Sequence, residues 1–135
     1  MTPLLWPVIG HLALIQFLFA MVSLRRLQAV QAGAEPNGFA WGREPEASRR
    51  WARNLDNQFQ VPMLFYVLVA LIFATGVGGL IEVGLAWLFL FGRVAHTWVQ
   101  VSGDDVRLRG RVFTINYLAL SAMWLVWLAR MVDIP

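Results

Sequence analysis

Polar residues with helical spacing occur at two places where the surrounding sequence is strongly apolar. Arg53, Asn57 and Gln60 are four and three residues apart, so they share one face of a helix. Arg93 and His96, three residues apart, begin a second stripe of this kind. Guanidinium and amide groups together suit an anion with several carboxylate or phosphate groups, because each guanidinium donates two parallel hydrogen bonds. The spacing favours an anion site between two helices.

A structural interpretation of the same residues is also open. Arg53 would then extend its guanidinium to the membrane surface, while Asn57 and Gln60 would form hydrogen bonds to neighbouring helices. Ionisable groups inside a membrane span are costly, which makes Arg93 and His96 functional candidates by default. Gln100, four residues after His96, continues that stripe. Spacing alone leaves the structural and the binding interpretation both open.

The elements that carry these residues follow from composition. The chain has 135 residues, of which 59% are hydrophobic and 14% charged. A soluble domain has about 25% charged residues, and a membrane span needs about 20 apolar ones. We therefore predict an all-α membrane protein, a bundle of four transmembrane helices formed by one domain, 1–135. The expected spans are about 4–24, 58–77, 80–101 and 112–131.

The basic residues indicate an orientation. All 11 are Arg, and nine of them fall in two connections on one side of the predicted bundle: Arg25, Arg26, Arg43, Arg49, Arg50, Arg53, Arg107, Arg109 and Arg111. By the positive-inside rule this side is cytoplasmic, which places both termini on the other side. The same rule explains much of the clustering without a ligand. It does not require the polar stripes within the spans.

Several other chemistries are excluded or disfavoured. The chain has no Cys, so a disulfide and a protein thiol nucleophile are impossible, and any thiol must arrive with a substrate. The net charge of +3 is small and scattered, which disfavours a nucleic-acid surface. We expect no metal site, since Glu82 is an isolated acid. His11, in an apolar helix, is expected to form hydrogen bonds between helices. Glutathione with an apolar electrophile fits this pattern, and phosphate-bearing lipids fit it almost as well.

The motifs, taken in order, resemble the MAPEG family, the membrane-associated proteins in eicosanoid and glutathione metabolism. Arg25-Arg26 closes the first span, and Arg53-x-x-x-Asn57-x-x-Gln60 followed by Pro62 opens the second. The run Gly92-Arg93-Val94-Ala95-His96-Thr97 lies late in the third span, and Arg109 begins the fourth. The third-helix run is most similar to the microsomal prostaglandin E synthase and glutathione transferase branch.

The resemblance implies a homotrimer that binds glutathione between subunits near the cytoplasmic face, with a small lipophilic second substrate. It implies an enzyme of microsomal glutathione transferase type, with a glutathione site made of Arg25, Arg26, Arg53, Asn57, Gln60, Arg93 and His96. We expect its location to be the bacterial inner membrane. Arg109 matches the arginine that faces the glutathione sulfur. Arg107 and Arg111 are close enough in sequence to exchange roles with it.

Three positions depart from the family pattern. This chain has Gln60, Gln100 and Gly110, where the family usually has Glu, commonly has Tyr and can have Ser, respectively. One expected function is a glutathione-dependent transferase or peroxidase acting on a lipophilic electrophile or a lipid hydroperoxide. The alternative is a non-catalytic membrane scaffold, or a protein that binds a lipid or another anion.

Overall fold

A computed structural model describes residues 2–103 and 105–132. Over these residues the chain is helical, with turns between the helices and no strand. Its α-helices are α1 (Leu5–Gln31), α2 (Glu46–Asp56), α3 (Val61–Thr75), α4 (Leu80–Ser102) and α5 (Val106–Val132). Short 3-10 turns occupy Thr2–Leu4, Pro36–Trp41 and Asn57–Phe59.

Four helical segments are long and apolar enough to cross a membrane: Thr2–Gln31, Glu46–Thr75, Leu80–Ser102 and Val106–Val132. Most of each segment's surface is not covered within the single chain, as expected for helices that face lipid or other subunits. The predicted all-helical architecture with four membrane-crossing helices is confirmed. The chain is a multi-pass membrane protein.

The first and the last helix are longer than the predicted spans. α1 continues to Gln31, so the connection expected after the span 4–24 begins as helix. α5 begins at Val106 rather than near residue 112, which places Arg107, Arg109 and Arg111 on its first two turns. The reason is that an apolar run ends where a helix leaves the bilayer, whereas the helix itself ends where its backbone is capped.

The break between α4 and α5 has such a cap. The Asp105 carboxylate accepts hydrogen bonds from the backbone N–H groups of Arg107 and Leu108 at 2.9 and 3.0 Å. The predicted break at 102–105 therefore coincides with the end of α4 and this cap. Asp104, a part of that prediction, lies outside the described residues.

The second crossing is not one continuous helix. α2 passes into the 3-10 turn Asn57–Phe59, and Gln60 has backbone angles of φ −94° and ψ −102° that lie outside the helical region. Pro62 follows in the first turn of α3, where its missing N–H does not cost a helical hydrogen bond. The helical spacing of Arg53, Asn57 and Gln60 predicts one helix over these residues, and the structure ends that helix at Asp56. The break lets the polar residues around Asn57 face α4 at the membrane boundary.

The core lies between α3, α4 and α5. Phe65 stacks on Phe89 with ring centroids 4.6 Å apart, and both rings are fully buried. α4 and α5 approach closely at Gly92, where an added Cβ would lie 2.4 Å from the Asn116 Nδ2 atom. That Nδ2 atom donates a hydrogen bond to the Phe89 carbonyl oxygen at 2.7 Å. This contact fixes how the two helices that carry His96 and Arg109 lie against each other.

Candidate anion-binding cavity

A cavity of about 530 Å³ opens between α2, α4 and α5. Its volume is in the range of about 300–1,000 Å³ that is usual for small-molecule sites. The lining residues are Arg53, Asp56, Asn57, Gln60, His96, Gln100, Val106, Arg109, Gly110 and Phe113. They combine two guanidinium groups, one carboxylate, an imidazole and three side-chain amides.

Half of the predicted site residues lie together in this cavity. Arg53, Asn57 and Gln60 come from the α2 side, His96 comes from α4, and Arg109 comes from the first turn of α5. Arg53 lies on α2, whereas Asn57 begins the 3-10 turn and Gln60 follows it, so the end of the helix falls within this set of three residues. The cap at Asp105 sets where α5 begins and therefore where Arg109 faces the cavity.

Arg93 is placed differently. Its side chain is fully buried, and its Nε and Nη2 atoms donate hydrogen bonds to the Gln58 Oε1 atom at 3.0 and 2.8 Å. Nη2 also donates to the Asn57 carbonyl oxygen at 2.9 Å. Arg93 therefore holds the turn Asn57–Phe59 against α4 from behind the cavity. Its Nη1 atom is buried with no hydrogen-bond partner among the described residues.

Four further predicted residues do not line the cavity of the single chain. The Arg26 Nε atom lies 2.7 Å from the Glu44 Oε1 atom in an ion pair. Arg25 places its guanidinium 5.9 Å from the centroid of Trp51 and lines a separate cavity of about 400 Å³. Arg107 and Arg111 are exposed on the first turns of α5.

A polar network lies behind the cavity, within the bundle. We use this name for His11, Asn54, Gln58, Tyr66, Arg93, Thr97 and Gln100. Gln58 is its centre and is almost fully buried. Since Arg93 can only donate, the Gln58 oxygen must face it, and the same oxygen lies 3.1 Å from the His11 Nε2 atom. Nε2 must therefore carry the proton.

His11 then accepts a hydrogen bond at Nδ1 from the Tyr66 hydroxyl, at 2.6 Å. The expectation that His11 links helices is confirmed, because it joins α1 to α3 and to the turn Asn57–Phe59. Each ring nitrogen has one partner of the matching kind. Within a membrane, a polar side chain is stable only when its donors and acceptors form hydrogen bonds in this way.

Sequence reasoning missed Asn54 and Gln58 as structural residues. The Gln58 Nε2 atom donates to the Asn54 Oδ1 atom at 3.1 Å, and Thr97 donates to the same oxygen at 3.0 Å. Their spacing of four residues was the available signal, since it defines a second polar face on α2 beside that of Arg53. The structural interpretation considered for Asn57 holds in part, because its Nδ2 atom donates to the Gln100 Oε1 atom at 3.0 Å.

The chain matches the sequence profile of the MAPEG family over residues 3–129. The chain belongs to the MAPEG family. Searches of curated proteins and of solved structures found no match. Family membership makes this a membrane protein of the group associated with glutathione and eicosanoids.

Asp56 is the cavity residue of this MAPEG chain that motif reasoning overlooked. It lies three residues after Arg53 and four before Gln60, so the helical period places all three on one face. The resemblance had indicated a lost carboxylate at Gln60. The structure places the Asp56 carboxylate in the lining of the same cavity. Among the described residues it forms no ion pair within 4.0 Å.

Proposed function

We propose that the chain binds glutathione in this cavity and directs its thiolate at a lipophilic electrophile or a lipid hydroperoxide. The observation that supports this most strongly is the charge pattern of the lining: Arg53, Arg109 and one acid, Asp56, that has no ion pair among the described residues. Glutathione carries two carboxylates and one ammonium at neutral pH. Two guanidinium groups and one carboxylate complement those charges, whereas a phosphate-bearing lipid without an amine leaves Asp56 facing a like charge.

The roles of the lining residues follow from their chemistry. Arg53 would bind a carboxylate of the peptide, while Gln60 and His96 offer hydrogen bonds to its amides. Arg109 would lie beside the thiol and lower its pKa by favouring the thiolate. Arg107 and Arg111 remain alternatives for this role, since they lie on the same turns of α5.

The reaction class follows from the thiolate. In a transfer, sulfur forms a bond to the electrophilic carbon, the leaving group departs with its electron pair, and the thiol proton goes to water. In a hydroperoxide reduction, two glutathione molecules supply two electrons, giving an alcohol, water and the disulfide. The second substrate would enter from the bilayer, since Val106 and Phe113 give the cavity an apolar wall on α5.

The proposed assembly is the homotrimer that the family resemblance implies. In this arrangement the cavity lies between subunits, and Arg25 or Arg26 of a neighbouring copy completes it. This idea is supported by the lining of the cavity, which includes neither Arg25 nor Arg26 of the same chain. Native mass spectrometry in detergent would show a mass three times 15.3 kDa, and a monomer would contradict the proposal.

Calorimetric titration of the purified protein with glutathione and an S-alkyl analogue tests the proposal. We expect both to bind, and Asp56→Asn to weaken glutathione several-fold while leaving N-acetylglutathione unchanged. Arg49→Ala, which removes a charge of α2 outside the cavity and the polar network, is the control. Absence of glutathione binding to a folded sample would remove the proposal.

A non-catalytic membrane protein that binds a lipid or another anion is the second candidate. It is favoured by Gly110 and Gln100, which replace two hydroxyl groups, and by the internal bonds of the Gln100 oxygen to Asn54 and Asn57. A conjugation assay with a generic electrophile discriminates the two. Binding of glutathione with no turnover would support this candidate.

We also propose a bacterial inner-membrane location with both termini on the non-cytoplasmic side. The position of nine Arg residues at one end of the bundle supports it. The chain lacks Cys, so a Thr2→Cys variant would carry a single thiol. In intact cells stripped of their outer membrane, we expect an impermeant maleimide to label it. Labelling only after lysis would reverse the orientation.

A further inference from the structure

The turn between α1 and α2 comes back to the level of the membrane boundary. Arg25 and Arg26 are the first charged residues after the apolar run of α1. α1 then continues to Gln31, about 7 Å further at 1.5 Å per residue. The chain returns, because the Phe39 ring centroid lies 5.8 Å from the Arg26 Cζ atom and Glu44 pairs with Arg26. Residues 39–44 therefore lie at the depth of Arg26.

This segment has a defined conformation. Gly42 ends the 3-10 turn Pro36–Trp41 with φ +74°, in the left-handed region that favours glycine. The Arg43 N–H donates to the Gly38 carbonyl oxygen at 2.9 Å, and the Gly38 N–H donates to the Glu35 carbonyl oxygen at 3.0 Å. These bonds close the segment into a compact loop.

Trp41 points away from the protein at the tip of this loop. It is 80% exposed, which makes it the most exposed aromatic side chain among the described residues. Tryptophan is enriched at the boundary between lipid and water, where its ring lies among the headgroups and its N–H finds a hydrogen-bond acceptor. The loop thus presents an uncovered Trp beside the residues that contact Arg26, which follows the apolar run of α1.

We propose that residues 36–43, the interfacial turn, rest in the phospholipid headgroup layer, with Trp41 inserted near the glycerol groups and Arg43 on a phosphate. Arg43 forms no ion pair among the described residues, so its guanidinium is available for this contact. The partner is the lipid surface of the protein's own bilayer. The proposal does not depend on glutathione binding.

The charges around Trp41 predict the lipid preference. Arg26 and Glu44 compensate each other, and Glu35 offsets the charge of Arg43 at the other end of the turn. The interfacial turn therefore carries little net charge. We expect the interfacial turn to insert into bilayers of phosphatidylcholine alone. Adding an acidic lipid should increase its depth of insertion only slightly. Glu44 directly follows the interfacial turn and pairs with Arg26. Insertion of the turn would therefore set the depth of Arg26, and of the end of α1, relative to the bilayer.

The lack of Cys permits a direct test, because a single introduced Cys can carry a spin label. Ala40→Cys places the label beside Trp41, and Gln31→Cys at the exposed end of α1 provides a matched position in water. In proteoliposomes of phosphatidylcholine, we expect the label at 40 to show several-fold lower accessibility to a water-soluble nickel chelate than the label at 31. Its accessibility to oxygen should be higher.

Removal of the anchor completes the test. In an Ala40→Cys, Trp41→Ala double variant, nickel accessibility at 40 should rise towards that at 31. The matched control, Trp98→Ala, removes another exposed Trp and should leave position 40 unchanged. Equal nickel accessibility at 40 and 31 in the parent would overturn the proposal. A label at 40 that is immobilised and shielded from both reagents would also overturn it, since another protein surface would then cover Trp41.

Discussion

The cavity and the polar network lie on two sides of the segment 53–60, which runs from the last turn of α2 through the turn Asn57–Phe59. They use the same kinds of residue. In the network, Gln58 and Arg93 are buried and bonded to each other, and His11 has a partner on both ring nitrogens. In the cavity, Arg53 and Gln60 are exposed and form no side-chain hydrogen bond among the described residues. Polar groups on one face hold the bundle together, and those on the other remain available to a ligand.

The difference shows that residue type does not distinguish a binding group from a structural one inside a membrane. A buried amide without a partner costs about 1–3 kcal/mol, so buried polar groups are selected for complete pairing. A ligand-binding group must instead keep unused hydrogen-bonding capacity. Satisfaction of each polar atom is therefore the useful criterion, and it requires the packed structure.

The largest effect is expected at Arg109, the cavity residue that we propose lies beside the glutathione thiol. Arg109→Ala should lower the rate of conjugation by about 10²–10³-fold, because a positioned donor that stabilises a thiolate is lost. Glutathione affinity should change far less. The measurement is steady-state turnover of a generic electrophile in detergent. Arg49→Ala, an exposed charge outside the cavity, is the control, and an equal loss there would indicate a general charge effect.

The next prediction opposes the two faces directly. Gln58→Leu should lower the free energy of unfolding by about 3 kcal/mol, because it leaves the Arg93 guanidinium and His11 buried without their acceptor. Gln60→Leu should change it by less than about 0.5 kcal/mol and weaken glutathione binding instead. Denaturant unfolding in micelles, followed by circular dichroism, measures both. Similar destabilisation by the two variants would break the comparison.

A third prediction concerns the close approach of α4 and α5 at Gly92, next to Arg93 of the polar network. Gly92→Ala should destabilise the bundle by about 2 kcal/mol, because its Cβ would meet the Asn116 Nδ2 atom at 2.4 Å. Gly84→Ala, on the same helix with open space around it, should be neutral or slightly stabilising. Thermal unfolding of the two variants provides the measurement. Equal stability would mean that α4 and α5 separate at little cost.

The smallest effect is expected at the ion pair that belongs to neither face. The Arg26 guanidinium holds the pKa of the Glu44 carboxyl below its ordinary value. The pair therefore stabilises the fold at neutral pH, and this stabilisation is lost as the pH falls through the lowered pKa. Since Arg26 is 43% exposed, Glu44→Gln should cost less than about 1 kcal/mol at neutral pH. At acidic pH, where Glu44 is protonated, the variant and parent should unfold alike.

Much of the fold was predictable because apolar runs long enough to cross a bilayer have few alternatives. The helical spacing of Arg53, Asn57 and Gln60 placed these residues together, and the order of motifs indicated the family. α1 ends and α5 begins outside the predicted spans, because hydropathy reports the bilayer boundary and not the end of the helix. Asp56 was not predicted as a site residue although it lies on the same helical face as Arg53, because the family motif does not include its position.

The membrane class, the number of crossings and the clustering of Arg residues at one end of the bundle can be derived from the sequence, because they depend on composition along one chain. Which polar groups form hydrogen bonds within the bundle depends on the packing of the helices. Arg93 and Arg109 are the same residue type at the same end of the bundle, yet one is bonded to Gln58 and the other lines the cavity. That division depends on how α2, α4 and α5 pack, because hydrogen bonds between helices join residues far apart in sequence.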